Sequence, residues 1–161
     1  MMARPAKTID RGQYRTYLAP AAVAELLHMF SWGGVGEADL QQGNSAFGLL
    51  RQGKRQLSPK FTLQENLDQA NTPRFNTYGE VAPLQLPIIL KGQLVNSLVS
   101  SRSAKEYKTQ SNYASRREHL RAPEILTGTV ASDQVLARLE RGLYLSNQHY
   151  LNWSAHPNGR V

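Results

Sequence analysis

Two short apolar runs held apart by only two residues constrain this chain more than anything else in it. Residues 84–90 (Leu-Gln-Leu-Pro-Ile-Ile-Leu) and 93–99 (Gln-Leu-Val-Asn-Ser-Leu-Val) flank the dipeptide Lys91-Gly92. Runs of this length, rich in branched aliphatic residues and split by a dipeptide ending in glycine, predict two antiparallel strands around a tight turn. Gly92 supplies the positive φ that such a turn requires. Pro83 and Pro87 cannot donate to a ladder, so they predict that the first arm lies at a sheet edge or begins there.

A helix precedes this hairpin. Pro20 suits a first-turn position, and Val23, Leu26, Leu27 and Phe30 recur at the spacing of one helical face, which predicts a stripe turned toward a core. Gly33, Gly34 and Gly36 end it. Residues 37–76 carry Gln, Asn, Gly and Ser between short apolar pairs and read as loops with short strands or turns. After the hairpin a short helical turn is expected around Ser103–Tyr107, and residues 125–130 read as a short strand. Ser132 is expected to cap a second helix that turns Val135, Leu136 and Leu139 inward and stops at Gly142. Leu143-Tyr144-Leu145 returns as a strand. Helices and strands mix without strict alternation, so the predicted class is α+β, a mixed or antiparallel sheet with a few helices. At 161 residues the chain reads as a single domain, 1–161.

Composition narrows the chemistry. Cysteine is absent, which removes disulfides, thiolate catalysis and cysteine-ligated metal centres. No apolar run approaches the ~18 residues of a membrane span. The first residues have no apolar core behind them, so they do not read as a secretory signal, and a cytoplasmic location is expected. Nineteen Lys and Arg against twelve Asp and Glu give a net charge of +7. The densest basic stretch runs from Arg102 to Arg121, through Lys105, Lys108, Arg116 and Arg117, with Tyr107 and Tyr113 interleaved. Arg102, Arg116 and Arg117 are therefore candidate polyanion contacts, and nucleic acid is a possible partner. No nucleic-acid-binding motif accompanies them, and a solvated basic loop accounts for the same residues.

The histidines are His28, His119, His149 and His156, and no His-Glu-x-x-His pattern joins any of them. Gly33-Gly34-Val35-Gly36 follows a helix instead of opening one, so it is not a phosphate loop. No serine sits in a nucleophile elbow. From the residues alone no catalytic constellation emerges.

Three runs in order, from Tyr14 through Pro20 to Leu27, from Pro87 through Gly92 to Glu106, and from Arg141 to Asn147 with Tyr150 to Ser154 after it, resemble the TldD/PmbA family. These are metalloprotease-related proteins, once called modulators of DNA gyrase, in which a zinc-bearing subunit pairs with a partner lacking the metal motif. The resemblance implies the C-terminal half of that fold and an internal or truncated segment of it. Where a zinc-bearing member would show His-Glu-x-x-x-His, this chain has His28-Met29-Phe30-Ser31-Trp32-Gly33. His28 would then be the vestige of a metal position, with Met29 in place of the general base and Gly33 in place of the second histidine. The family's cysteine ligand is missing as well.

The resemblance therefore implies a zinc-less, PmbA-like, non-catalytic subunit with no cofactor, associated with a metallopeptidase. An active metallopeptidase whose site is completed elsewhere and a basic nucleic-acid-associated domain are the alternatives. Strand edges left open would invite pairing, so a homo-oligomer or a TldD-like protein partner is expected, with Tyr144, Tyr150 and Trp153 as contact candidates.

Overall fold

Pro20 opens the first helix as expected, directly after a short strand. In the computed structural model, which describes residues 7–154, the chain runs β1 (Thr16–Leu18), α1 (Pro20–Ser31), α2 (Glu37–Gln42), α3 (Gly48–Arg51), β2 (Leu63–Asn66), β3 (Gln85–Leu90), β4 (Gln93–Leu94), α4 (Ser101–Tyr107) and β5 (Pro123–Ile125). A 3₁₀ turn at Ser132–Gln134 then leads into α5 (Val135–Leu139), and β6 (Leu143–Leu145) follows. An antiparallel sheet holds four strands in the order β4-β3-β2-β5, and β1 pairs with β6 in parallel as a separate two-stranded sheet. The fold class is α+β.

The hairpin forms as its turn chemistry dictates. Lys91 and Gly92 both take positive φ, 47° and 81°, the pairing that matches the twist of two tightly connected strands. Its surroundings differ from the expectation. β3 lies inside the sheet, between β2 and β4, and not at an edge. Pro87 is tolerated there because β4 pairs only with Ile89 and Leu90, and because the β2–β3 register slips between Leu63 and Gln64, beside Pro87. The second arm is also shorter than 93–99. Beyond Leu94, the N–H groups of Val95 and Asn96 both turn to Ile88 O, at 2.9 and 3.3 Å, and the ladder ends.

The core joins both faces of this arrangement. Leu27 of α1 packs with Val35, Leu40, Phe47, Leu63, Ile88, Ile89, Leu98 and Ala114. A fully buried Leu or Ile contributes about 2 kcal/mol. Val23 and Phe30 pack against this cluster as the stripe predicted, and Phe30 meets Phe47 edge-on at 5.0 Å. Leu26 does not join it: it is only half-buried, while Ala22, Met29 and Ser31 are buried instead. The C-terminal segment returns along α1, where Gln148 Nε2 donates to Ala22 O and Trp153 Nε1 to Trp32 O, so the helix has neighbours on more than one side.

Other expectations fall to similar physical causes. Residues 37–76 hold a short strand, as expected there, in β2, but also two short helices that were not expected. The third strand candidate, 125–130, is displaced to Pro123–Ile125, where the proline stands at the strand's first position on the outer edge. Ser132 makes no side-chain cap, and Leu136 is 61% exposed, because α5 is little more than one turn and leaves that face in solvent. Gly142 does more than stop a helix: a Cβ there would run into Arg15 O, the acceptor of the Leu143 N–H that joins β6 to β1.

Candidate functional site

The three positions of the suspected metal motif face three different environments. His28 is exposed on α1, Met29 is 1% exposed in the interior, and Gly33 lies past the helix end with φ of 74°. Gly33 has no side chain to offer a metal, Met29 has no carboxylate to act as base, and α1 ends at Ser31. Among the described residues no three His, Cys, Asp or Glu side chains come close enough together to hold a metal ion. The residues present at 28–33 do not fit zinc.

Buried carboxylates elsewhere build the scaffold. Glu37, 2% exposed at the start of α2, accepts from Arg51 Nη1 and Nη2 at 2.8 and 3.0 Å, from Gln41 Nε2 at 2.6 Å and from Ser97 Oγ at 2.5 Å. Burial pushes its carboxyl up, but these hydrogen bonds and the Arg51 charge together hold it below the usual carboxylate range. Glu37 and Arg51 form one wall of a groove of about 630 Å³ whose other walls include Arg74, Asn96, Ser97 and Asn112. Most of that polar lining is already engaged: Arg74 grips Ala82 O, Asn96 Nδ2 donates to Pro87 O, and Asn112 Nδ2 to Ser97 O.

Glu65 on β2 is 4% exposed and accepts the backbone N–H groups of Arg121 and Ala122. Burial raises its pKa, opposed by those N–H groups and by the Arg121 charge. The folded protein therefore holds this proton more tightly than the unfolded chain does. The resulting stability is full below the unfolded value and lost as pH rises through the folded one. Glu65→Gln, which cannot ionise, should gain stability relative to the native protein as pH rises from the ordinary carboxylate range, about pH 4, upward. Urea midpoints across that range would check this, and a pH-independent difference would contradict it.

A second concavity, of about 500 Å³, opens beside the end of α1, lined by Trp32, Gly33, Asp39, Asn44, Arg117 and His119. Burial lowers the His119 pKa, as do the charges of Arg117 and His28, with Asp39 opposing. His119, which sequence reasoning set aside as an ordinary histidine, is thus close enough to feel His28, Asp39 and Arg117 together. Asp39 and Asn44 drew no attention at all. No local pattern links residues 39 and 119, so only folding reveals the grouping.

The remaining candidates are dispersed. Arg102 sits on α4 in an exposed pair with Glu106 at 3.7 Å, and Arg116 and Arg117 are exposed in the turn before β5. Of these three, Arg117 lines the cleft. Tyr144 is 53% and Tyr150 91% exposed, with Tyr144 stacked obliquely on Tyr17 at 5.4 Å. Trp153 folds back on its own chain, edge-on to Trp32 at 6.5 Å with its Nε1–H on Trp32 O.

No helix among the described residues is long and apolar enough to cross a membrane. No curated protein sequence matches the chain. Its fold is similar to that of a candidate modulator of a DNA gyrase from Thermotoga maritima (TM-score 0.77, 16% identity), over 94% of this chain and 36% of that one. A candidate modulator of DNA gyrase from Bacteroides thetaiotaomicron (0.76, 19%) is covered over 34% of its length by 95% of this chain. TldE from Thermococcus kodakarensis (0.66, 17%) is covered over 34% of its length by 89% of this chain. The chain thus spans about a third of the length of these solved structures. The family described as the PmbA/TldA metallopeptidase C-terminal domain matches residues 11–160, and the chain belongs to that family.

Proposed function

We propose that this chain is a non-catalytic module of a PmbA/TldD-type metallopeptidase system, contributing to peptide processing through a zinc-bearing, TldD-like partner in the cytoplasm and holding no metal of its own. The observation that carries the reading is the burial of Met29. A general base must reach a metal-bound water, whereas side chains at position 29 enter the interior (1% exposed) and His28 faces solvent.

Restoring the motif letters should therefore not restore a site. Met29→Glu is expected to cost at least ~3 kcal/mol, because it places a carboxylate where a thioether packs. The double variant Met29→Glu, Gly33→His should bind no more zinc than the native chain. Elemental analysis of the purified protein after dialysis against zinc, together with a peptide-cleavage assay, is the test. Stoichiometric zinc with chelator-sensitive cleavage by the native chain would overturn the proposal and favour an active metallopeptidase. Assembly belongs to the same reading: light scattering should show an oligomer, or a complex with a TldD-like protein, that weakens when the exposed Tyr144 and Tyr150 become Ser.

A further inference from the structure

We infer that the cleft lined by Trp32, Asp39, Asn44, Arg117 and His119 binds a small zwitterion of the amino-acid type, with its ammonium on Asp39, its carboxylate on Arg117 and its apolar side chain against Trp32. The contrast between the two large concavities carries the inference. In the groove beside Glu37, the charged side chains are consumed by one another and by backbone carbonyls. In the cleft, the carboxylate of Asp39, the amide of Asn44, the guanidinium of Arg117 and the imidazole of His119 make no hydrogen bond or ion pair among the described residues. Asp39 and Arg117, of opposite charge, face one cavity without closing on each other.

That set is selective by charge. A simple anion would meet Arg117 but also the Asp39 charge, and a simple cation would meet Asp39 but also Arg117. A ligand carrying both charges satisfies both. His119 has its pKa lowered by burial first and then by Arg117 and His28, which favours the neutral ring with one donor and one acceptor nitrogen. With the Asn44 amide it can complete a polar shell without adding net charge. Gly33 leaves the wall between Trp32 and Gly34 without a side chain.

The chain has two tryptophans, Trp32 and Trp153, packed edge-on at 6.5 Å, with Trp32 lining the cleft. Indole emission, excited where phenylalanine does not absorb, therefore reads occupancy. Three probes share one ring and carry both charges, the negative one alone or the positive one alone: L-phenylalanine, phenylacetate and phenethylamine. L-phenylalanine should change the emission saturably, and each single-charge probe should bind at least about tenfold more weakly, a difference of about 1.4 kcal/mol. Asp39→Asn should reduce L-phenylalanine affinity about tenfold without weakening phenylacetate, and Arg117→Gln should do so without weakening phenethylamine. The three-probe comparison on the native chain stands even if a variant fails to fold. No saturable response to L-phenylalanine, phenylacetate or inorganic phosphate binding as tightly as L-phenylalanine, or unchanged L-phenylalanine affinity in both folded variants would each overturn the proposal.

Discussion

Leu27→Asp is expected to abolish the folded state. Leu27 is 8% exposed and packs in the main core cluster with Val35, Leu40, Phe47, Leu63, Ile88 and Ile89. Truncating such a side chain alone costs about 2–5 kcal/mol. Placing an unpaired carboxylate in its position adds several kcal/mol more, or forces the group to take up a proton. The sum is comparable with the whole stability of a small domain, about 5–15 kcal/mol. Leu26→Asp, one residue away on a half-buried face, should cost only about 1 kcal/mol. Circular dichroism and urea unfolding of the pair would check both, and equal losses would refute the placement of α1.

Glu118→Ala should be the next most damaging change, at about 3 kcal/mol, through polar groups instead of packing. Glu118 is 3% exposed, and its two oxygens accept at 2.9 Å from Ala38 N in the first turn of α2 and from Ser100 N at the N-cap of α4. One carboxylate therefore serves the N-terminal ends of two helices, where negative charge is favoured. Gly36 passes so close that a Cβ there would lie 3.3 Å from Glu118 Cβ. Removing the carboxylate strands the buried Ser100 N–H and the partly buried Ala38 N–H, at about 1–3 kcal/mol for a fully buried donor. Glu118 also holds a φ of 54°, a conformation that penalises any Cβ. Glu118→Gly should accordingly be less destabilising than Glu118→Ala by about 1 kcal/mol. A Glu118→Ala protein with an unshifted urea midpoint would show that the bridge adds nothing.

These two residues also mark how far sequence alone reaches. The hairpin and α1 were readable because their signals are local: a glycine that needs positive φ, and a proline followed by a periodic stripe. β2 was not, because its Leu-Gln-Glu-Asn sequence looks like a loop. It is an inner strand whose polar side chains are satisfied from afar, Glu65 by the Arg121 and Ala122 N–H groups and Asn66 by Glu124. The helices within 37–51 are too short to show a period. The Leu26 error came from assuming one buried face on a helix that the returning C-terminal segment also touches. Family membership was legible from three separated runs, but the cleft was not, since Asp39 and Arg117 come to one cavity only in the fold, where the neighbouring Ala38 N–H meets Glu118 Oε2.

The pairing of Thr16 with Leu143 and of Leu18 with Leu145 makes the two-stranded sheet a clasp between the first and last strands described. Every other strand lies inside the loop it closes, and none of them pairs with it. Closing so long a loop costs entropy that grows only slowly with its length, but the reward is small: three residue pairs, two more bonds, from Ala19 N to Leu145 O and from Leu143 N to Arg15 O, and a face that leaves Tyr144 in water. Such a clasp is expected to open while the four-stranded sheet stays intact, which would give unfolding two levels of cooperativity. The Trp32–Trp153 contact sits on the same returning segment, and its loosening would mark the opening of the clasp before the sheet melts.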